Sequence, residues 1–127
     1  MNARAAHRPN ANHRELSDAA LALVATRFRA MGEPIRLRML RALERGDRSV
    51  SALTEAIGST QPNISKHLKV LQDAGLVNRR QEGSAAHFSI ADPMVFELCD
   101  IVCSRLRAQL EEQVEALGPA ARPRRRA

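Results

Sequence analysis

Tryptophan and tyrosine are absent from this 127-residue sequence, and Phe28, Phe88 and Phe96 are its only aromatic residues. Proteins that read single-stranded nucleic acid stack bases on aromatic platforms. Each Phe here stands at an apolar-periodic position, so the sequence offers no such platform. Cysteine occurs twice, as Cys99 and Cys103, which is too few for a disulfide scaffold. Free thiols, metal ligands or redox groups are the readings left. No apolar run approaches the roughly 18 residues needed to span a bilayer. The opening segment, MNARAAHRPNANHR, lacks the apolar stretch of a secretory signal. A cytoplasmic chain with no membrane attachment is therefore expected. A glycine-rich phosphate loop and a nucleophile–base constellation are also missing, so an enzyme is not expected. With 44% hydrophobic and 27% charged residues, the composition is that of one globular domain with one core.

The net charge of +6 is unevenly placed. Arg4, Arg8 and Arg14 give residues 1–14 a charge of +3, and Arg122, Arg124, Arg125 and Arg126 give residues 118–127 a charge of +4. Residues 15–117 are left at −1. Overall basicity is therefore mostly a property of the ends, which lack periodicity and are expected to be disordered. Inside the body, Lys66 and Lys69 are the only lysines, with Arg79 and Arg80 close behind and Asp73 the only acid between Ser59 and Arg80. This local basic stripe on a near-neutral body suits contact with phosphates.

The apolar pattern predicts five helices and a hairpin. Leu16, Ala20, Leu23, Val24, Phe28 and Met31 stripe a helix capped at Ser17 and stopped at Gly32. A second begins at Pro34 and runs to about Arg45, burying Leu37, Leu40 and Leu43 with Ile35 and Met39. A short third spans Val50 to Ile57. The fourth is capped by Thr60 and carries Pro62 in its first turn. It places Ile64, Leu68 and Leu71 on one face and Lys66 and Lys69 on the other. Strands are expected at Leu76–Gln81 and Ala86–Ile90 around a turn at Glu82–Ala85. The last helix, from about Asp92 to Leu117, is striped by Val95, Cys99, Val102, Leu106, Leu110, Val114 and Leu117. The expected fold is mainly α with a small β-hairpin: a winged helix-turn-helix at residues 15–117, with about five helices and a two-stranded wing.

In that plan the fourth helix enters the major groove of double-stranded DNA and the hairpin reaches the backbone. The segments EPIRLRMLRAL, STQPNISKHLKVLQDAGLV and RRQEG also resemble the ArsR/SmtB family of repressors, over about residues 28–91 in the expected order and spacing. The resemblance implies a homodimer built on the first and last helices, a two-fold operator, and release of DNA on binding an effector. Gln61, Asn63, Ser65, Lys66 and Lys69 are expected to contact DNA, because amide side chains pair with adenine and lysine reaches guanine or phosphate. His67, at the apolar edge, joins that set with a packed boundary residue as its alternative. Arg79 and Arg80, with Arg48, suit phosphate contact from the wing.

An effector site is less clearly written. Where the family carries Cys-Val-Cys on its third helix, this chain has Ser49-Val50-Ser51, and hydroxyls do not replace thiolates for a soft ion. A second family site, on the last helix, keeps Asp92, but Met94, Arg105 and Ala108 stand where further ligands belong. Cys99 and Cys103 remain, one helical turn apart with Cβ atoms about 5–6 Å from each other. They are able to share a soft ion such as As(III) or Sb(III), or to react with a sulfur or oxidant signal. Buried cysteine also serves simply as a small hydrophobe, so a DNA-binding regulator with structural cysteines stays open. So does a winged-helix module that binds protein, although Lys66 and Lys69 weigh against it. His7, His13 and His87 form no metal-binding spacing.

Overall fold

The computed structural model describes residues 15–119. The expectation of disordered ends, and with it His7 and His13, falls outside that span except at Gly118 and Pro119. Helix α1 (Asp18–Met31) begins where the Ser17 hydroxyl accepts from the Ala20 N–H. Helix α2 (Pro34–Glu44) is capped by Glu33, whose carboxylate accepts from the Arg36 N–H at 2.9 Å. Strand β1 (Arg48–Ser49) leads directly into α3 (Val50–Ile57), whose N-cap is the Ser49 hydroxyl. Gly58, at φ 76°, ends α3 in a left-handed conformation that costs any other residue strain. Helix α4 (Gln61–Asp73) follows on the Thr60 cap. Strands β2 (Val77–Glu82) and β3 (Ala85–Ile90) form the wing, and α5 (Met94–Leu117) ends the described chain. No described helix is long and apolar enough to cross a membrane.

The sheet has three antiparallel strands in the order β1-β3-β2, not the two expected. Two residues carry no readable period, so β1 is visible only through its pairing of Arg48 with Phe88 and Ser49 with His87. The hairpin turn is also tighter than expected. Gly83 and Ser84 alone join the strands, and Gly83 takes φ 61° at the first central position, where a type II′ turn wants glycine.

The core is where α2, α3, α4 and the sheet meet. Met39, Leu40, Leu53, Ile64, Leu68, Leu71, Leu76 and Val95 are fully enclosed there, and no polar or charged side chain is buried among the described residues. Each such side chain contributes roughly 1.5–3 kcal/mol of burial. In α2 Met39 turns inward with Leu40 and Leu43, whereas Leu37 lies on the surface. The stripes of α1 and α5 are present, but the described residues do not cover them. Leu23 and Phe28 of α1, and Ile101, Val102, Leu106, Leu110 and Leu117 of α5, are at least half exposed. From Ile101 to Leu117 every residue of α5 faces outward.

Candidate nucleic-acid interface

Helix α4 presents two distinct faces. Ile64, Leu68 and Leu71 enter the core, while Gln61, Ser65, Lys66, Lys69 and Gln72 stay exposed. The geometry follows from the period: apolar residues at i, i+4 and i+7 turn one side inward and leave the other to solvent. Lys66 has no ion-pair partner among the described residues. Lys69 Nζ lies 3.4 Å from Asp73 across an exposed turn, a pairing worth about 0–1 kcal/mol.

Two of the expected contacts are engaged within the protein. The Asn63 amide donates to the Ser59 hydroxyl at 2.9 Å, bracing the turn between α3 and α4, and the residue is half-buried. His67 takes the packed position that was its alternative. Its side chain is only 12% exposed, and its Nδ1 lies 3.2 Å from Arg36 Nη1 and 4.0 Å from Glu33 Oε2. It faces α2, because it follows Lys66 around the helix onto the apolar edge. Glu33 is held below its ordinary pKa. Partial burial works to raise it, but the N–H groups of Arg36 and Ile35, the charge of Arg36 and, whenever its ring carries a second proton, His67 override that effect.

The wing arginines also divide. Successive strand residues point to opposite faces. Arg79 shares a cleft of about 280 Å³ with Ser65, Lys69 and Gln72 of α4. Arg80 turns away toward Asp47 at 3.6 Å and Glu82 at 3.3 Å. Arg48 is occupied: its Nε donates to the Ala42 carbonyl at 3.1 Å, closing the end of α2. A second cleft brings Gln61 and Ser51 beside Ser84 at the wing tip. Gln72, Ser51 and Ser84 therefore belong to the same surface. Gln72 was foreshadowed by its place seven residues after Ser65, but the two serines carry no signal in the sequence.

The cysteines are both free thiols on α5. Cys99 is half-buried against the core, and Cys103 is exposed. No group of three His, Cys, Asp or Glu side chains suited to a metal forms among the described residues. Ser49 is occupied as the α3 cap, and Asp92 accepts from the Met94 N–H at 3.0 Å.

This arrangement has known counterparts. Residues 33–79 match the family described as "Bacterial regulatory protein, arsR family". The uncharacterized HTH-type transcriptional regulator Rv0081 of Mycobacterium tuberculosis is 36% identical over 96 residues, which is 75% of this chain and 84% of that protein. The chain belongs to the ArsR family. It is a DNA-binding transcriptional regulator, and its relatives are regulators rather than enzymes. The homodimeric winged helix-turn-helix DNA-binding domain of Mb0332 from Mycobacterium bovis superposes with a TM-score of 0.68 at 31% identity, covering 81% of this chain and 95% of that one. A probable mercury resistance operon repressor of Streptomyces lividans is 39% identical over 71 residues, 56% of this chain and 57% of that protein's length.

Proposed function

We propose that residues 15–117 form a homodimeric repressor that lays α4 of each subunit into successive major grooves of a two-fold operator. On this reading it works in the cytoplasm and leaves the DNA when a thiol-directed effector reaches Cys99 and Cys103. One observation carries the DNA-bound form: the molecule that presents Lys66 and Lys69 outward also leaves the apolar faces of α1 and α5 uncovered. A second copy covers those faces and places two α4 helices on one side of the assembly. Gln61, Ser65, Lys66, Lys69 and Arg79 then meet DNA. Asn63 and His67 shape the helix that reads it, and Arg80 serves at the margin.

Support for a soft-metal effector such as As(III), Sb(III) or Hg(II) comes from the thiol pair and from the mercury resistance repressor among the relatives. Two thiols one turn apart supply half a tetrahedral set, so a zinc-like ion needs further ligands from the second subunit. A sulfur or oxidant signal uses the same thiols without them. The packing of Cys99 against the core favours a second reading, in which the cysteines only fill space.

A fluorescence titration of the protein–DNA complex with As(III), Sb(III), Zn(II), Cd(II), persulfide and peroxide separates the two. Thiol sensing requires release of the wild type and retention by Cys99→Ser/Cys103→Ser. Release of that double variant by the same agent ends the thiol reading, and no release of either protein favours structural cysteines.

A further inference from the structure

The contacts that hold α4 by its apolar side are non-directional, so they resist its removal better than its rotation. Among the described residues, the side-chain hydrogen bonds that reach it from other helices come from two arginines. Arg36 spreads its guanidinium over three acceptors: Nε donates to the Ala30 carbonyl at 2.6 Å, Nη2 to the Arg29 carbonyl at 3.1 Å, and Nη1 faces His67 Nδ1 at 3.2 Å. A guanidinium has no acceptor, so His67 Nδ1 must accept and the ring proton belongs on Nε2. Ala30 and Arg29 lie in the last turn of α1, where helix carbonyls lack i+4 partners; that of Arg29 also accepts from the Gly32 N–H at 3.2 Å. Arg27 of α1 makes the second link, its Nε donating to the Ala74 carbonyl at the C-cap of α4, 3.3 Å away. The recognition helix is thus tied to α1 at its middle and at its end, and α1 carries the uncovered Leu23 and Phe28.

We infer that Arg36, acting through His67, and Arg27 are positioning residues that register α4 on α1 and so set the spacing and pitch of the two recognition helices in the dimer. The inference rests on the proposed reading, in which α1 is part of the subunit interface. Neither arginine needs to touch DNA for this. Lysine in place of Arg36 keeps the charge but lacks the planar fork that serves three acceptors at once. Leucine in place of His67 leaves Arg36 Nη1 without its acceptor, whereas asparagine restores an oxygen near the Nδ1 position.

The test uses a duplex selected by the wild-type protein from a randomised library, its isolated half-site, and versions with one base pair added or removed between half-sites. Arg36→Lys and His67→Leu are expected to lose about tenfold on the full site while half-site affinity stays within about twofold. Their penalty for altered spacing is expected to be shallower than the wild type's, and His67→Asn to recover most of the loss. A merely structural defect lowers half-site affinity, full-site affinity and melting temperature together, and leaves the spacing penalty unchanged. Should Arg36→Lys not fold, His67→Leu and Arg27→Lys carry the comparison. Wild-type ratios across all duplexes in the variants, or a proportional loss on full and half sites, overturns the inference alone. A wild-type protein that does not distinguish full from half sites overturns the dimeric reading and this inference with it.

Discussion

Lys66→Ala removes the one α4 cation that has no ion-pair partner among the described residues, on a face the core does not use. If each Lys66 ammonium displaces one condensed counterion, the slope of log K against log salt becomes shallower by about 0.9 per contact, or about 1.8 for a two-fold dimer. Between 50 and 200 mM salt, the deficit of the variant then narrows by about 12-fold. Lys69→Ala changes the slope equally but costs less affinity, because the wild type must first part Lys69 from Asp73 at 3.4 Å. That separation consumes about 0–1 kcal/mol per subunit. Fluorescence anisotropy on a selected duplex across this salt range gives both quantities. A thermal melt should show the fold unchanged, since surface replacements shift stability by only about 0.5 kcal/mol. Parallel lines with affinity lost on one sequence only would move Lys66 from a phosphate to a base edge. Parallel lines with no loss would refute the assignment of this face.

Leu106→Glu places a charge on the uncovered stripe of α5 at a position 52% exposed. Sedimentation should show a monomer where the wild type is dimeric, with the core's own unfolding little changed, and an unaltered dimer counts against that face. Leu53→Ala empties a fully buried site and should cost about 2–5 kcal/mol in urea unfolding; a cost under about 1 kcal/mol would mean the site collapses around the gap. Glu33 contributes stability above the ordinary carboxylate range, because its folded pKa is lowered. That contribution is lost as pH falls through the lowered value. Glu33→Gln should therefore be less stable than the wild type near neutrality, with the difference shrinking in acid, and a constant gap across pH would contradict the capping role.

Much of the head was readable because local and global demands agree there. Thr60 and Pro62 mark the start of α4, and Ile64, Leu68 and Leu71 recur at the period that the core then buries. Strand β1 was not readable, since two residues show no alternation and exist as a strand only through Phe88 and His87. Leu37 and Met39 are both apolar and near the same stripe, so only tertiary packing decides that Met39 goes inward. His67 shows the limit most clearly at the site. Its place on the edge of α4 is visible in the sequence, but its partner Arg36 is 31 positions earlier, and nothing in a helical period links the two.

The stripes of α1 and α5 pose a different problem, because the period matches the helices but the described residues build no core against it. A helix such as α5 is marginal in water without tertiary support, and beyond Asp100 none of its residues is covered. Its attachment to the head is confined to the first turns. Val95 is buried, Phe96 and Leu98 are half-buried, and Arg41 of α2 bonds Asp100 at 2.7 Å while lying 5.5 Å over the Phe96 ring. Cys99 sits on the last packed turn and Cys103 on the first free one. The thiol pair therefore spans the point where α5 passes from its own core to the proposed subunit face. Closing a disulfide there requires Cβ atoms nearer than helical spacing permits, and a bridging ion constrains the same turn. On the proposed reading, either event acts on the turn that carries Asp100, which Arg41 of α2 bonds at 2.7 Å.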